Sequence, residues 1–333
     1  MTSKVIGIIA TVDFAFKLML GSPEHTKITI HFLNAVLGDS PRITAVTILN
    51  PILGKDFDED KLSVLDILAE DEHGRKFNIE MQTSVLSELP QRLTYYLSAL
   101  YSKQLTQGSD YSTLRQAVSI CVLTKSMFTE DPRLHLDFRM RDSSGLILTN
   151  DLQIHLLQLP NLRLTEDNIA QASPIERWAY FLLNADRLSR EDVSRIFPDQ
   201  EFVEAAGVLE MISKSPEEHR VYDMRLKFQR DEATRIAATR REIEAARIEG
   251  ETKGRVEGRV EGRVEGLRDG ETKGRVDGLR EGVQKGVLLG RIAVLQELLG
   301  VAQPTADELS SFDEGRLTEL AEQLQTQLRK RNA

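Results

Sequence analysis

Three side chains within residues 62–82, LSVLDILAEDEHGRKFNIEMQ, have the types and spacing to do chemistry: Asp66, Glu80 and Gln82. The run 62–68 is apolar on both faces apart from Ser63 and Asp66, the pattern of a central strand covered on each side, and this makes Asp66 the anomaly. The run 77–82 alternates, with Phe77, Ile79 and Met81 on one face and Asn78, Glu80 and Gln82 on the other. Glu70, Asp71, Glu72, His73 and Gly74 form a turn of the kind that joins antiparallel neighbours, which would bring Asp66 close to Glu80. Two buried carboxylates in one place repel, and they need a cation or a shared proton. Oxygen ligands with no nearby His or Cys cluster suit magnesium or manganese better than zinc. Taken alone, the same residues also fit an ordinary polar strand edge.

The flanking sequence supplies elements to position these groups. Phe14, Leu18 and Met19 give a short helical stripe that Gly21 stops. Ser22 is a candidate N-cap, with Pro23 at the first helical position, for a second helix carrying Ile28, Phe32, Leu33 and Val36 up to Gly38. A strand is expected over 43–50. Beyond the hairpin, Leu93, Tyr96, Leu97, Leu100, Tyr101 and Leu105 recur at helical spacing over 90–105, and residues 118–124 read as a buried strand. A helix crossing between two strands is what a parallel or mixed sheet requires. Weaker strand signals lie at 135–140, 146–148 and 154–159. Helices then dominate, from the Ser173 cap with Pro174, Glu176, Trp178, Phe181 and Leu182 through 190–197 and 201–213.

Composition narrows the function classes. At 333 residues, 41% hydrophobic and 29% charged, the chain can build a sizeable core. It holds no run of about 18 apolar residues able to span a bilayer. The N-terminal VIGIIA makes an unconvincing signal peptide, so a cytoplasmic protein without a membrane anchor is expected. The single cysteine, Cys121, lies in an apolar run, as a buried inert thiol does. A net charge of -9 argues against wrapping nucleic acid over the whole surface, although it leaves room for a local basic groove.

Glycines stand every fourth residue from Gly250 to Gly290, with spacers such as RVE. Each costs a helix about 0.8–1 kcal/mol relative to alanine. Interleaved Arg and Glu largely cancel, so the expectation is a semi-flexible polyampholyte linker with nascent helix. Short helices over 287–299 and 313–330 close the chain.

Four segments together resemble one family: DFAFKLMLG at 13–21, FLNAVLG at 32–38, LDILAEDEHGRKFNIEMQ at 65–82 and RLTYYLSALYSKQLTQGSDY at 92–111. They are similar to the Rpn family of recombination-promoting nucleases and transposases, within the PD-(D/E)XK superfamily, and the glycine-ladder tail is similar to the C-terminal region of many members. The resemblance implies an α/β fold, a mixed sheet flanked by helices, followed by a helical region and the glycine-repeat tail. The expected division is a nuclease-like core at 1–160, a helical extension at 161–248, a linker at 249–291 and a helical segment at 292–333. It further implies a Mg²⁺-dependent DNA endonuclease, with Mn²⁺ or Ca²⁺ as alternatives, acting in recombination or transposition. Asp66 and Glu80 would ligate the metal, Gln82 would stand where the superfamily has lysine, and Asp13 and Lys17 would fall on the D-x-x-F-K acid and base, Asp13 completing the metal site. Asp13 also fits a helix cap and Lys17 a surface charge. Tyr95, Tyr96 and Tyr101 match the family pattern too, yet their helical spacing places them in the core. The competing reading is a catalytically weak or inactive nuclease-fold protein that binds DNA or serves as an adaptor, and forms homo-oligomers through its tail.

Overall fold

The structure, a computed structural model, describes residues 4–38, 41–50, 67–108, 110–301 and 304–331. Asp66 and the first part of the run 62–68 therefore lie outside the described residues. By contacts the chain divides into two units, Met1–Thr239 and Arg240–Ala333.

In the first unit the alternating and β-branched runs form six strands among the described residues: β1 (Val46–Ile48), β2 (Ile67–Asp71), β3 (Lys76–Gln82), β4 (Ala117–Leu123), β5 (His135–Arg141) and β6 (Ile147–Gln158). They make one sheet in the order β1-β2-β3-β4-β6-β5. β1, β2 and β3 are antiparallel neighbours, β3–β4 and β4–β6 are parallel, and β5 returns antiparallel on β6. The two strand signals expected at 146–148 and 154–159 are one long strand, which residues 149–153 continue while pairing with β5 and β4. All seven residues of β4 are buried, as a central strand with both faces covered must be.

Six helices among the described residues supply layers on the sheet. α1 (Asp13–Leu20), α2 (Thr26–Leu37), α4 (Pro174–Asn184), α5 (Arg190–Ile196) and α6 (Gln200–Lys214) share one hydrophobic cluster with Ile67, Ala69, Phe77, Ile79, Val118, Ile120, Val122 and Leu157 of the sheet. The helices expected as an extension after residue 160 thus belong to the same core. Trp178 is fully buried there, packed on Phe32, Phe181 and Phe202. Ser173 caps α4 in a reciprocal capping box with Glu176, as its spacing predicts. Pro23 opens only a 3₁₀ turn, and α2 proper starts at Thr26, because the Ser22 hydroxyl bonds the Glu24 carboxylate and caps no backbone N–H. α3 (Leu89–Ser102) covers the opposite face, where Leu89 and Leu93 join Cys121, Leu123, Leu136 and Leu156.

The β2–β3 hairpin is pinned by a buried ion pair. Asp71 Oδ1 accepts the N–H groups of His73 (3.0 Å) and Arg75 (2.9 Å), and Arg75 Nε reaches Asp71 Oδ2 at 2.5 Å. Gly74 turns the corner with φ 77°, and a Cβ there would stand 3.2 Å from the Arg115 stem. Gly21 plays a related part at the end of α1. A Cβ at Gly21 would meet Lys17 O at 2.8 Å and Ile67 Cγ1 at 3.2 Å, so glycine lets α1 close onto the start of β2.

α7 (Pro216–Leu299) contributes residues to both units. Near its start, Tyr222 is buried in the first core and its hydroxyl accepts the Ile9 N–H at 3.0 Å. The glycine ladder, expected as a semi-flexible linker, is α-helical throughout. Arg, Glu and Lys in its spacers are good helix formers, and at its start Lys253 pairs with Glu249 at 2.6 Å. No neighbour lies within 4 Å of a Cβ built on any ladder glycine, so no close approach uses them. In the second unit, Ile292 and Leu295 of α7 pack on Leu309 of α8 (Ala306–Ser310) and on Leu317, Ala321 and Leu324 of α9 (Glu314–Arg331). No helix of the described residues is long and apolar enough to cross a membrane.

Two outcomes follow from this framework. Asp71→Ala leaves the Arg75 guanidinium buried without its carboxylate; a broken pair of this kind costs about 3–5 kcal/mol, so denaturant unfolding should show a clearly lower midpoint, and an unchanged one would contradict the pinning. Gly258→Ala, Gly262→Ala and Gly266→Ala should each stabilise the local helix by about 0.8–1 kcal/mol, read as increased helical circular dichroism, because no contact opposes the added methyl.

Candidate active site around Glu80

Strand β3 builds the site through its period of two. Phe77 and Ile79 enter the large core, which turns Asn78, Glu80 and Gln82 onto the face that α3 covers. The Glu80 side chain is only 2% exposed. Its Oε1 accepts from Asn78 Nδ2 at 2.8 Å, and its Oε2 accepts from Gln82 Nε2 at 3.0 Å and from Arg92 Nη2 at 3.4 Å. A carboxylate offers about four acceptor positions, so three donors leave room for a further partner.

Arg92 comes from the first turns of α3. Leu89, Leu93 and Leu97, four residues apart, bury one stripe of this helix against the sheet. Arg92 stands at the margin of that stripe and reaches across to Glu80. Opposite Asn78 on β4 lies Ser119. Three buried polar atoms gather here with no hydrogen-bond partner among the described residues: Asn78 Oδ1, Ser119 Oγ and Arg92 Nε. Buried polar groups are almost always satisfied, so a cluster of exceptions beside a buried carboxylate makes this a candidate site. An all-oxygen set of this kind, a carboxylate with an amide and a hydroxyl oxygen, fits a hard divalent cation.

The residues expected from sequence divide as follows. Glu80 and Gln82 are in direct contact. Asp66 lies outside the described residues, but its chain neighbour Ile67 pairs with Ile79, the residue before Glu80. Asp13 does not cap α1, whose N-cap position is Val12. Its carboxylate contacts the Phe14 N–H (2.7 Å) and Arg225 of α7 (3.7 Å). Burial raises the Asp13 pKa, while Arg225 and the Phe14 N–H pull it back. Lys17 is no surface charge; it is 5% exposed, beside Gly21 where α1 meets β2. Among the described residues no group of three or more His, Cys, Asp or Glu side chains is arranged to hold a metal. Asn78, Ser119 and Arg92 were not singled out from sequence. The alternation of NIEMQ already set Asn78 on the Glu80 face, whereas Ser119 and Arg92 depend on the parallel register and on the reach of α3.

A second buried polar group sits on the other face, in line with Leu157. His135 Nε2 and His155 Nδ1 are 2.9 Å apart in stacked rings, and His155 Nε2 lies 3.1 Å from Gln153 Oε1. Gln153 Nε2 donates to Asn150 O, which orients the amide and makes His155 Nε2 the donor and its Nδ1 the acceptor of a neutral ring. Burial, reinforced by His135, lowers the His155 pKa to about 3.

A mixed sheet with helices on both faces and a buried strand acid among oxygen and amide neighbours is the arrangement of a PD-(D/E)XK nuclease-like fold. Comparison with known families agrees: residues 10–239 match the PD-(D/E)XK nuclease family transposases, and the chain belongs to that family. Nucleases of this class act on DNA and generally use divalent metals. No curated protein and no solved structure matches the chain.

The histidine pair makes a pH prediction. Because the His155 pKa is depressed in the folded state, the unfolded chain binds more protons between pH 6.5 and about 3. The contribution of His155 is fully present above that window and is lost as pH falls through it, at up to about 1.4 kcal/mol per pH unit. Urea unfolding from neutral pH downward should show this decline, and His155→Gln should flatten it; parallel pH profiles in the two proteins would contradict the assignment.

Proposed function

We propose that the chain is a divalent-cation-dependent DNA endonuclease, hydrolysing phosphodiester bonds at the Glu80 site, with a part in recombination or transposition. The observation that carries this reading is the buried Glu80 carboxylate beside the unpartnered oxygens of Asn78 and Ser119, in a chain of this family. Glu80 and Asp66 are the carboxylates that would hold Mg²⁺, with Mn²⁺ or Ca²⁺ as close substitutes, and Asn78, hydrogen-bonded to Glu80, offers a neutral oxygen. A bound cation of this kind supplies a water of lowered pKa and offsets charge at the scissile phosphate.

The chain's own groups do the positioning. Asn78 and Gln82 fix the Glu80 carboxylate by one amide hydrogen bond to each oxygen. Gln82 stands where the superfamily places lysine, and its amide can orient a water but brings no positive charge. Arg92 supplies that charge from the neighbouring helix, and its remaining N–H donors are suited to a phosphate. Asp13 and Lys17 of α1 would serve as the acid and base of the D-x-x-F-K motif, with Asp13 completing the metal site; Arg225 stands 3.7 Å from the Asp13 carboxylate and Lys17 is buried.

A second reading rests on a specific observation. Arg92 already places a cation against Glu80, and the carboxylate is almost wholly covered, as in a nuclease fold kept for DNA binding alone. Nicking of supercoiled plasmid in Mg²⁺ or Mn²⁺ separates the two. The nuclease reading predicts cleavage by the native chain that chelator abolishes and that Asp66→Ala and Glu80→Ala each lower about a hundredfold or more. Cleavage equal in all three proteins, or absent from the native chain while DNA binding persists, overturns it.

A further inference from the structure

α3 carries a second feature that the Glu80 chemistry leaves unused. Tyr95 and Tyr96, placed in the core by their helical spacing, are 69% and 44% exposed. Their rings meet edge to face, with centroids 5.6 Å apart and planes at 67°. Tyrosine presents a broad apolar face, and two adjacent rings left in solvent on a rigid helix form a preorganised stacking surface. Tyr101 differs, since its hydroxyl is tied to Asp151 on β6 at 3.2 Å.

The position of the pair tells what it faces. Tyr95 and Tyr96 stand three and four residues beyond Arg92, about 4.5 and 6 Å along the helix axis, and the three side chains share an arc about 100° wide. Arg92 is the residue that touches Glu80. One nucleotide step along a strand is about 3.4 Å, so a strand whose phosphate sits at Glu80 and Arg92 has its next one or two bases at the tyrosines. The local charge is complementary. α3 contains no acidic residue and one basic residue, Arg92, in a chain whose net charge is -9. Gln91, Thr94 and Ser98, also exposed on this helix, offer neutral hydrogen-bonding groups instead.

We propose that Tyr95 and Tyr96 form a base-stacking platform for unpaired DNA one helical turn from the scissile phosphate, and that they direct the enzyme to single-stranded or unwound substrate. The proposal rests on the nuclease reading of Glu80 for the identity of its ligand. Stacking on an aromatic ring needs a free base face; in a duplex each face is covered by the neighbouring pair, so only unpaired or extruded bases can use the platform. Either ring accepts any base, so the preference is for strandedness and not for sequence.

The test is a binding measurement with the full chain in chelator, where no cleavage occurs, using a labelled single strand of mixed sequence and a blunt hairpin of the same sequence. The native chain should bind the single strand more tightly. The double variant Tyr95→Ala, Tyr96→Ala should weaken single-strand binding about fivefold or more and leave hairpin binding unchanged, while Tyr95→Phe, Tyr96→Phe should keep native affinity because the ring is retained. Both side chains are exposed, so all variants should melt with the native protein, and a matching melting curve shows that any loss is not one of folding. Native single-strand affinity in the alanine variant, equal loss on both ligands, a phenylalanine variant as weak as alanine, or a native chain that does not prefer the single strand would each overturn the platform. If plasmid nicking depends on Asp66 and Glu80 but the tyrosines do not affect binding, the platform fails alone; if the tyrosines govern binding and no nicking occurs, the nuclease reading fails alone.

Discussion

The constraint on which the rest of this structure depends is the burial of the Glu80 carboxylate. Removing a charge of that size from water carries a penalty of several kcal/mol even after relaxation, and only close donors offset it. Here the donors are two amides two residues away on the same strand and one guanidinium from a helix. Each requires a different level of organisation: the amides need only the strand, and the guanidinium needs α3 laid across β3 and β4. A single short strand therefore fixes half of the site, and the crossover between β3 and β4 completes it.

The two faces of the sheet divide the labour. One carries the large apolar cluster with five helices and Trp178 at its centre, which makes the scaffold rigid. Among the described residues the other is covered by α3 and a small cluster, and there the polar residues of β3, the Ser119 hydroxyl without a described partner and the exposed tyrosines lie together. The buried Asp71–Arg75 pair and the Gly21 approach to Ile67 hold β2 against this arrangement from its two ends. Stability is concentrated on one face, which leaves the other able to hold groups that are costly to bury.

Much of this was legible in the sequence because it rests on short periods. The alternation of 77–82 gave Glu80 and Gln82 on one face, the helical spacing over 90–105 gave a helix, and the β-branched run gave β4. What was not legible depends on pairing between distant elements. Ser119 faces Asn78 only through the parallel register of β3 and β4. The tyrosines were misplaced because the α3 stripe is narrow: Leu89, Leu93 and Leu97 satisfy the sheet, and Tyr96 falls at its edge. The merged strand β6 escaped notice because its middle, residues 149–153, is polar and is held by pairing to neighbours on both sides. The glycine ladder was read from the cost of each glycine and from charges that cancel, whereas it is helical, and its Arg, Glu and Lys are good helix formers.

The central claim is that Glu80 belongs to a cation site and is not a buried strut paired with Arg92. Its most direct measurement is the uptake of Mn²⁺ by the full chain, followed as loss of the free-ion paramagnetic resonance signal, in the native protein and in Glu80→Gln. The account predicts saturable uptake by the native chain that the amide variant loses, since it keeps the shape of the side chain and removes its charge. Equal uptake by both, or none by the native chain, would contradict it.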